Sequence, residues 1–196
     1  MTCIIGYTKN GITWMGGDSL GSNGYTGDTY KLPKVFHSKD TKDIVMGFTS
    51  SFRMGQLLTY SKDLFDELSV IQNKIDYEYL VTKFVPKLQR LFSEGGYERV
   101  NNNVKSSGEF LLGHQGRLFK IQEDYSVLES SNGYDACGCG EYFALGALKI
   151  MEENTELSPV EKIHKALQAA SKFSVGVAPP FHIINTENDV VFEFEK

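Results

Sequence analysis

Three residues of complementary chemistry stand near the start of the chain: a hydroxyl at Thr2, a carboxylate at Asp18 and an ammonium at Lys34, at two equal intervals of sixteen residues. A threonine hydroxyl is a poor nucleophile until a base takes its proton. A chain that begins at Thr2 carries such a base on the same residue, because an α-amino group with a pKa near ~8 accepts a proton at neutral pH. A nearby cation lowers that value, which is the role open to Lys34, and Asp18 is the group that would hold Lys34 in place. Threonine at position two is small enough for methionine aminopeptidase to remove Met1, so the expected mature chain starts at Thr2. Each residue alone also has an ordinary reading, as a small second residue, a strand end and a solvated charge.

The elements that must position these groups are legible around them. Ile4 to Tyr7 and Ile12 to Gly17 are runs of β-branched, aromatic and small residues on either side of Asn10-Gly11. Asn-Gly suits a type I′ turn, which needs positive φ at both central positions. A two-residue loop puts Ser19 opposite Thr2 with Asp18 beside it, and a bulge would move that register by one.

With Gly17-Asp18 closing it, this opening resembles that of proteasome β-subunits and of the HslV peptidase, whose members space a nucleophilic threonine, an aspartate and a lysine in the same way. The likeness continues at Ile44-Val45-Met46-Gly47-Phe48, from Cys137-Gly138-Cys139-Gly140 into Tyr142 and Ala144, through Glu153 to Ser158, and ends at Phe181-His182. Only Tyr77 to Val127 lacks a matching motif. The resemblance implies an N-terminal nucleophile hydrolase acting as a threonine endopeptidase. It further implies an α+β, four-layer αββα sandwich, a homo-oligomeric ring enclosing the sites, and an AAA+ ATPase unfoldase that feeds polypeptide substrates to it. It asks for no cofactor in peptide hydrolysis and allows a structural monovalent cation. It also assigns an oxyanion donor to the N–H of Ser51, in a turn where Ser50 or Ser51 would equally serve as a helix N-cap. The chain departs from the family at three places. Cys139 stands where relatives usually carry a serine that helps hold the threonine amine, Lys172 lies near a usually acidic position, and Ser50-Ser51 replaces glycines.

Composition narrows the classes. A chain of 196 residues suits one domain, taken here as 1–196, with a real core. A net charge of −5 offers no basic footprint for nucleic acid or anionic membranes. Nothing approaches the ~18 apolar residues of a membrane span, and no signal peptide is expected, which together point to the cytoplasm. Three cysteines, Cys3, Cys137 and Cys139, make no disulfide framework. Cys137-Gly-Cys139 would need two more ligands to hold zinc, and His37, His114, His164 and His182 lack ligand spacing. Cys3 would serve as a nucleophile only if Thr2 were removed as well.

Along the rest of the chain, Gly21 to Tyr30 reads as a loop or weak extended arm. Leu32 to His37 and Ile44 to Thr49 read as paired strands, expected in one antiparallel sheet with the first two. Leu57, Leu58, Leu64, Phe65 and Leu68 fall on one helical face beyond Ser51, and Gln72 to Ile75 connects to a second helix capped by Asp76, kinked at Pro86 and ended by Gly95-Gly96. Strands follow at Glu109 to Gly113, Arg117 to Gln122, Tyr125 to Glu129 and Tyr134 to Cys137, with His114-Gln115-Gly116 as a tight connection. Then come a helix to about Glu153, a helix from Pro159 to about Phe173 opened by the capping box Ser158-Pro-Val-Glu161, and strands at Phe181 to Ile184 and Val190 to Glu195. Tyr142, Leu145, Ile150 and Met151 exceed what one core-facing stripe needs, so their helix is a candidate ring contact. Two other readings stay open on the same residues: a small-amide hydrolase of this fold, and a ring-forming subunit without catalysis.

Overall fold

The computed structural model describes residues 1–66 and 75–196. The chain opens with β1 (Ile4–Lys9) and β2 (Ile12–Gly17), joined through Asn10 and Gly11 at φ 53° and 79°, the left-handed pair that a type I′ turn requires. Their register sets Ile4 against Gly17 and Tyr7 against Trp14. The segment from 20 to 29, expected as a loop or weak arm, folds as a small hairpin, β3 (Leu20–Ser22) with β4 (Gly27–Thr29). Next come β5 (Val35–His37), β6 (Ile44–Phe48) and α1 (Phe52–Tyr60).

β5 and β6 pair as expected, but in a different sheet from β1 and β2. The segment from Asp18 to Lys34 crosses between layers, and local strand pairing carries no signal of such a crossing. The first helix is also shorter than its apolar pattern suggests. Ser61 closes it with an N–H bond to Leu57 O at 3.0 Å, and Leu64 and Phe65 are buried from a following bend, where Phe65 N–H donates to Asp40 Oδ2 at 2.8 Å. Leu68 and the connecting residues 72–74 lie outside the described residues.

Asp76 caps the next helical stretch through the Tyr79 N–H, 2.9 Å away. It runs as α2 (Tyr77–Tyr79), a π-helical segment Leu80–Phe84 and α3 (Val85–Glu94). Proline cannot donate to the carbonyl four residues back, and Pro86 leaves its mark as the wider π turn just before it. A hairpin that no motif signalled follows, β7 (Arg99–Asn101) with β8 (Val104–Ser106), turned through Asn102 and Asn103 at φ 49° and 63°. Then come β9 (Phe110–His114), β10 (Arg117–Ile121), β11 (Val127–Glu129) and β12 (Tyr134–Cys137). The strand expected from Tyr125 starts two residues later, because Tyr125 itself takes a left-handed φ of 67°. α4 (Glu141–Met151), α5 (Pro159–Phe173), β13 (Phe181–Asn185) and β14 (Phe192–Phe194) complete the order. The capping box at Ser158 and Glu161 is formed in both directions.

Two five-stranded antiparallel sheets result, ordered β12-β1-β2-β13-β14 and β11-β10-β9-β6-β5. Between them Ile4, Met15, Val35, Val45, Leu111 and Leu118 form an inner core. α4 and α5 cover the outer face of the first sheet, where Ile5 and Ala136 meet Ala144, Ile163 and Leu167. α1 and α3 cover the second, where Phe48, Phe110 and Phe119 meet Met54, Leu88 and Phe92. The alternation along β1 shows the design: Ile4 faces the other sheet and Ile5 the helices. This is the expected four-layer αββα sandwich. Among the described residues no helix is long and apolar enough to cross a membrane.

Candidate active site

Thr2, Asp18 and Lys34 lie just outside the ends of β1, β2 and β5, where the two sheets meet. The hairpin register carried past Ile4 and Gly17 brings Asp18 to Cys3, whose N–H donates to Asp18 Oδ1 at 2.9 Å. The other carboxylate oxygen accepts the Leu20 N–H at 3.0 Å. Lys34 Nζ donates to both oxygens of Asp18 at 3.0 Å, to Leu20 O at 2.6 Å and to Thr2 Oγ1 at 2.9 Å. The three residues are 3%, 0% and 2% exposed, so water screens these interactions little.

Burial pulls the Lys34 ammonium below the ordinary lysine value, and Asp18 opposes that pull. Burial likewise pushes the Asp18 carboxyl up, with Lys34 and the Cys3 and Leu20 N–H groups drawing it back. An ion pair in such a place is strongly held only because its remaining hydrogen-bonding sites are filled, as they are here. Lys34 Nζ is therefore held in place against the Thr2 oxygen. The Thr2 hydroxyl in turn donates to Met1 O.

The turn from β12 into α4 supplies the other wall. Gly138, at φ 97°, lets the chain pass so near Thr2 that a Cβ there would come within 2.4 Å of Thr2 O. That carbonyl accepts the Gly140 N–H at 3.2 Å. Cys139 Sγ accepts the Thr2 N–H at 3.2 Å and lies 3.3 Å from Ser174 Oγ, at the C-terminal cap of α5. Neither Ser174 nor the two backbone groups of Leu20 was legible as part of the site, since nothing in the sequence ties a helix-ending serine or a main-chain carbonyl to Thr2. Lys172 is exposed on the last turn of α5.

Ser51 lines the same small cavity as Thr2 and Lys34, about 60 Å3 in volume. Its side chain caps α1 by accepting the Arg53 N–H at 3.1 Å. Its own N–H donates to Thr49 O at 2.6 Å, across Ser50 at φ 63°, and so is already engaged. Ser19 is occupied elsewhere, with its hydroxyl donating to Pro180 O at 2.6 Å beside His182 Nδ1. Burial pushes the Cys3 and Cys137 thiols far up, which leaves both protonated and unreactive. Among the described residues no group of three or more His, Cys, Asp or Glu side chains is placed to hold a metal ion.

The four-layer αββα sandwich is the fold of HslV-like and proteasome-like solved structures. No protein-family model matches the chain. Among solved structures, the chain is similar to BPH from Thiobacillus denitrificans in complex with epoxomicin, at 17% identity over 93% of this chain and 97% of that one, with a TM-score of 0.72. It is similar also to eukaryotic HslV from Trypanosoma brucei, at 16% identity over 93% and 98%, with a TM-score of 0.69. A Gly-1 mutant of Anbu from Hyphomicrobium sp. strain MC1 follows at 13% identity over 99% and 86%, with a TM-score of 0.70. At these identities the likeness is one of fold.

Proposed function

We propose that this chain is a threonine endopeptidase, a single domain that works inside a homo-oligomeric ring. The observation that carries the reading is the contact of one buried ammonium, Lys34 Nζ, with both Asp18 and Thr2 Oγ1. Once Met1 is gone, the Thr2 amine takes the hydroxyl proton as Oγ1 bonds to the substrate carbonyl carbon. Lys34 stabilises the developing alkoxide and favours the neutral amine, while Asp18 fixes Lys34. Collapse of the tetrahedral intermediate breaks the C–N bond, and the departing amine takes the proton held by the Thr2 ammonium. Water then attacks the ester at Thr2 with the same amine as base. Cys139 holds the Thr2 nitrogen, and the Ser51 N–H is the oxyanion donor once it leaves Thr49 O. As long as Met1 remains, the Thr2 nitrogen is an amide and cannot serve.

The exposed Tyr142 and Ile150 of α4, 78% and 86% accessible, support contacts between copies in the ring. An AAA+ unfoldase delivering cytoplasmic polypeptides completes the proposal. A second reading, a ring subunit without catalysis, is favoured by the Ser51 N–H being satisfied within its own turn. One preparation separates the readings. Chains with a free Thr2, chains retaining Met1 and Thr2→Ala chains are compared on peptide and single-amino-acid amide substrates, with sedimentation against the 22.0 kDa chain mass. Peptide cleavage confined to the freed chain is expected. Inactivity of all three in a large assembly would favour the non-catalytic subunit, and cleavage of the amides alone the small-amide hydrolase.

A further inference from the structure

The cavity at Thr2 shares Gly21, Ser22 and Phe52 with a larger groove of about 720 Å3 between the β3–β4 hairpin and α1. The two adjoin along these three residues. Tyr30 and Phe52 form an aromatic wall, with ring centroids 5.5 Å apart and an edge-to-face angle of 65°. The Tyr30 ring reaches that position because residue 21 has no side chain: a Cβ on Gly21 would lie 2.3 Å from it. Among the residues that line the groove, Asp28 alone carries a formal charge. Its Oδ1 accepts the neighbouring Thr29 N–H at 2.8 Å, and its carboxylate makes no ion pair with any described residue.

We propose that this groove receives a basic side chain, lysine or arginine, of the polypeptide whose carbonyl is presented to Thr2, an inference that rests on the peptidase reading. A carboxylate without an ion-pair partner among the described residues, in one groove with two aromatic rings, matches a cation carried on a long apolar stem. The stem packs along Tyr30 and Phe52 while the charged head meets Asp28. A neutral aromatic side chain would gain the ring contacts but strip water from Asp28 without replacing it. An acidic side chain would meet like charge, and a small one would leave most of the groove unfilled. Asp28 lies on an exposed hairpin, so its substitution leaves the buried layers untouched.

The test is direct binding to Thr2→Ala chains, read by fluorescence anisotropy with labelled peptides that differ at one position: arginine, norleucine or glutamate. An exposed ion pair with a cation–π contact favours arginine over norleucine by about tenfold at low salt, with a smaller margin at high salt. Asp28→Asn should cut that ratio to about twofold, and Asp28→Lys should turn the preference toward glutamate. Arginine and norleucine binding equally to the parent chain would overturn the proposal, as would an arginine preference that survives both substitutions. Binding is read without the nucleophile, so its outcome is separate from that of the peptidase reading. A chain with a free Thr2 amine that cleaves nothing, while its Thr2→Ala variant binds arginine through Asp28, would sink the peptidase and keep the groove. Active chains without the preference would do the reverse.

Discussion

The Thr2 N–H donates to Cys139 Sγ at 3.2 Å, so a thiol holds the nitrogen that becomes the base once the chain starts at Thr2. A thiol is a weaker hydrogen-bonding group than a hydroxyl. Cys139→Ser should therefore raise kcat by roughly 3-fold, and Cys139→Val, which fills the space without a partner, should lower it by about 10-fold, amounts typical of one hydrogen bond. Steady-state kinetics on the freed chain check both. A serine variant slower than the parent would show that sulfur does more than hold the amine.

Thr2→Ala removes a hydroxyl and a methyl just before the start of β1. Peptide cleavage should fall by at least ~10³-fold, while stability changes by only about 1 kcal/mol, as for a small truncation. Thr2→Ser should retain part of the rate. Near-parental turnover by the alanine variant would remove threonine from the mechanism.

The two halves of the buried ion pair should differ when deleted. Asp18→Ala leaves the Lys34 ammonium without its carboxylate and should cost about 3–5 kcal/mol in denaturant unfolding, besides abolishing activity. Lys34→Met should cost less, since the remaining carboxyl can take up a proton. Burial already raises Asp18 above its ordinary value of 3.8, and Lys34 is the first of the groups that oppose this. A carboxyl raised in the folded state binds more protons there than in the unfolded chain. The stability of Lys34→Met should therefore be greatest below pH 3.8, as far as this group is concerned, and decline as pH rises through the raised value. Parallel unfolding curves for parent and variant across that range would contradict this.

Gly138→Ala tests the close approach of the β12–α4 turn to Thr2. It forces a side chain into a left-handed conformation and onto Thr2 O, which should cost about 1–3 kcal/mol and displace Cys139. Activity should drop further than the loss of stability explains, because Thr2 itself must move. A variant as active and stable as the parent would mean the turn is free to shift.

Much of this arrangement was legible because it is local. The Asn10-Gly11 turn, the Ser158–Glu161 box and the span of α5 all follow from neighbouring residues. The approach of Asp18 to Thr2 was legible through the hairpin register, and Lys34 joined them through the family resemblance. What escaped depends on distance. Nothing near Lys34 tells that β5 joins the far sheet, and nothing near Ser51 tells that its N–H is taken by Thr49 O. α1 stops at Tyr60 although its apolar stripe runs on, because Leu64 and Phe65 reach the core from a bend as well as from a helix. The Asn102-Asn103 hairpin was missed although two residues tolerant of positive φ stand side by side.

The β1–β2 register carries a consequence for how this centre tolerates change in chain length. Side chains alternate faces with a period of two, so the hairpin works as a phase setter. One residue added to either strand between Thr2 and Asp18 would turn the carboxylate to the opposite face, out of reach of both the Cys3 N–H and Lys34. Two added residues on each strand, which preserve both the pairing and the facing of the side chains, would lengthen the arm without changing the phase. Odd and even insertions in this hairpin should thus separate into dead and rescuable chains.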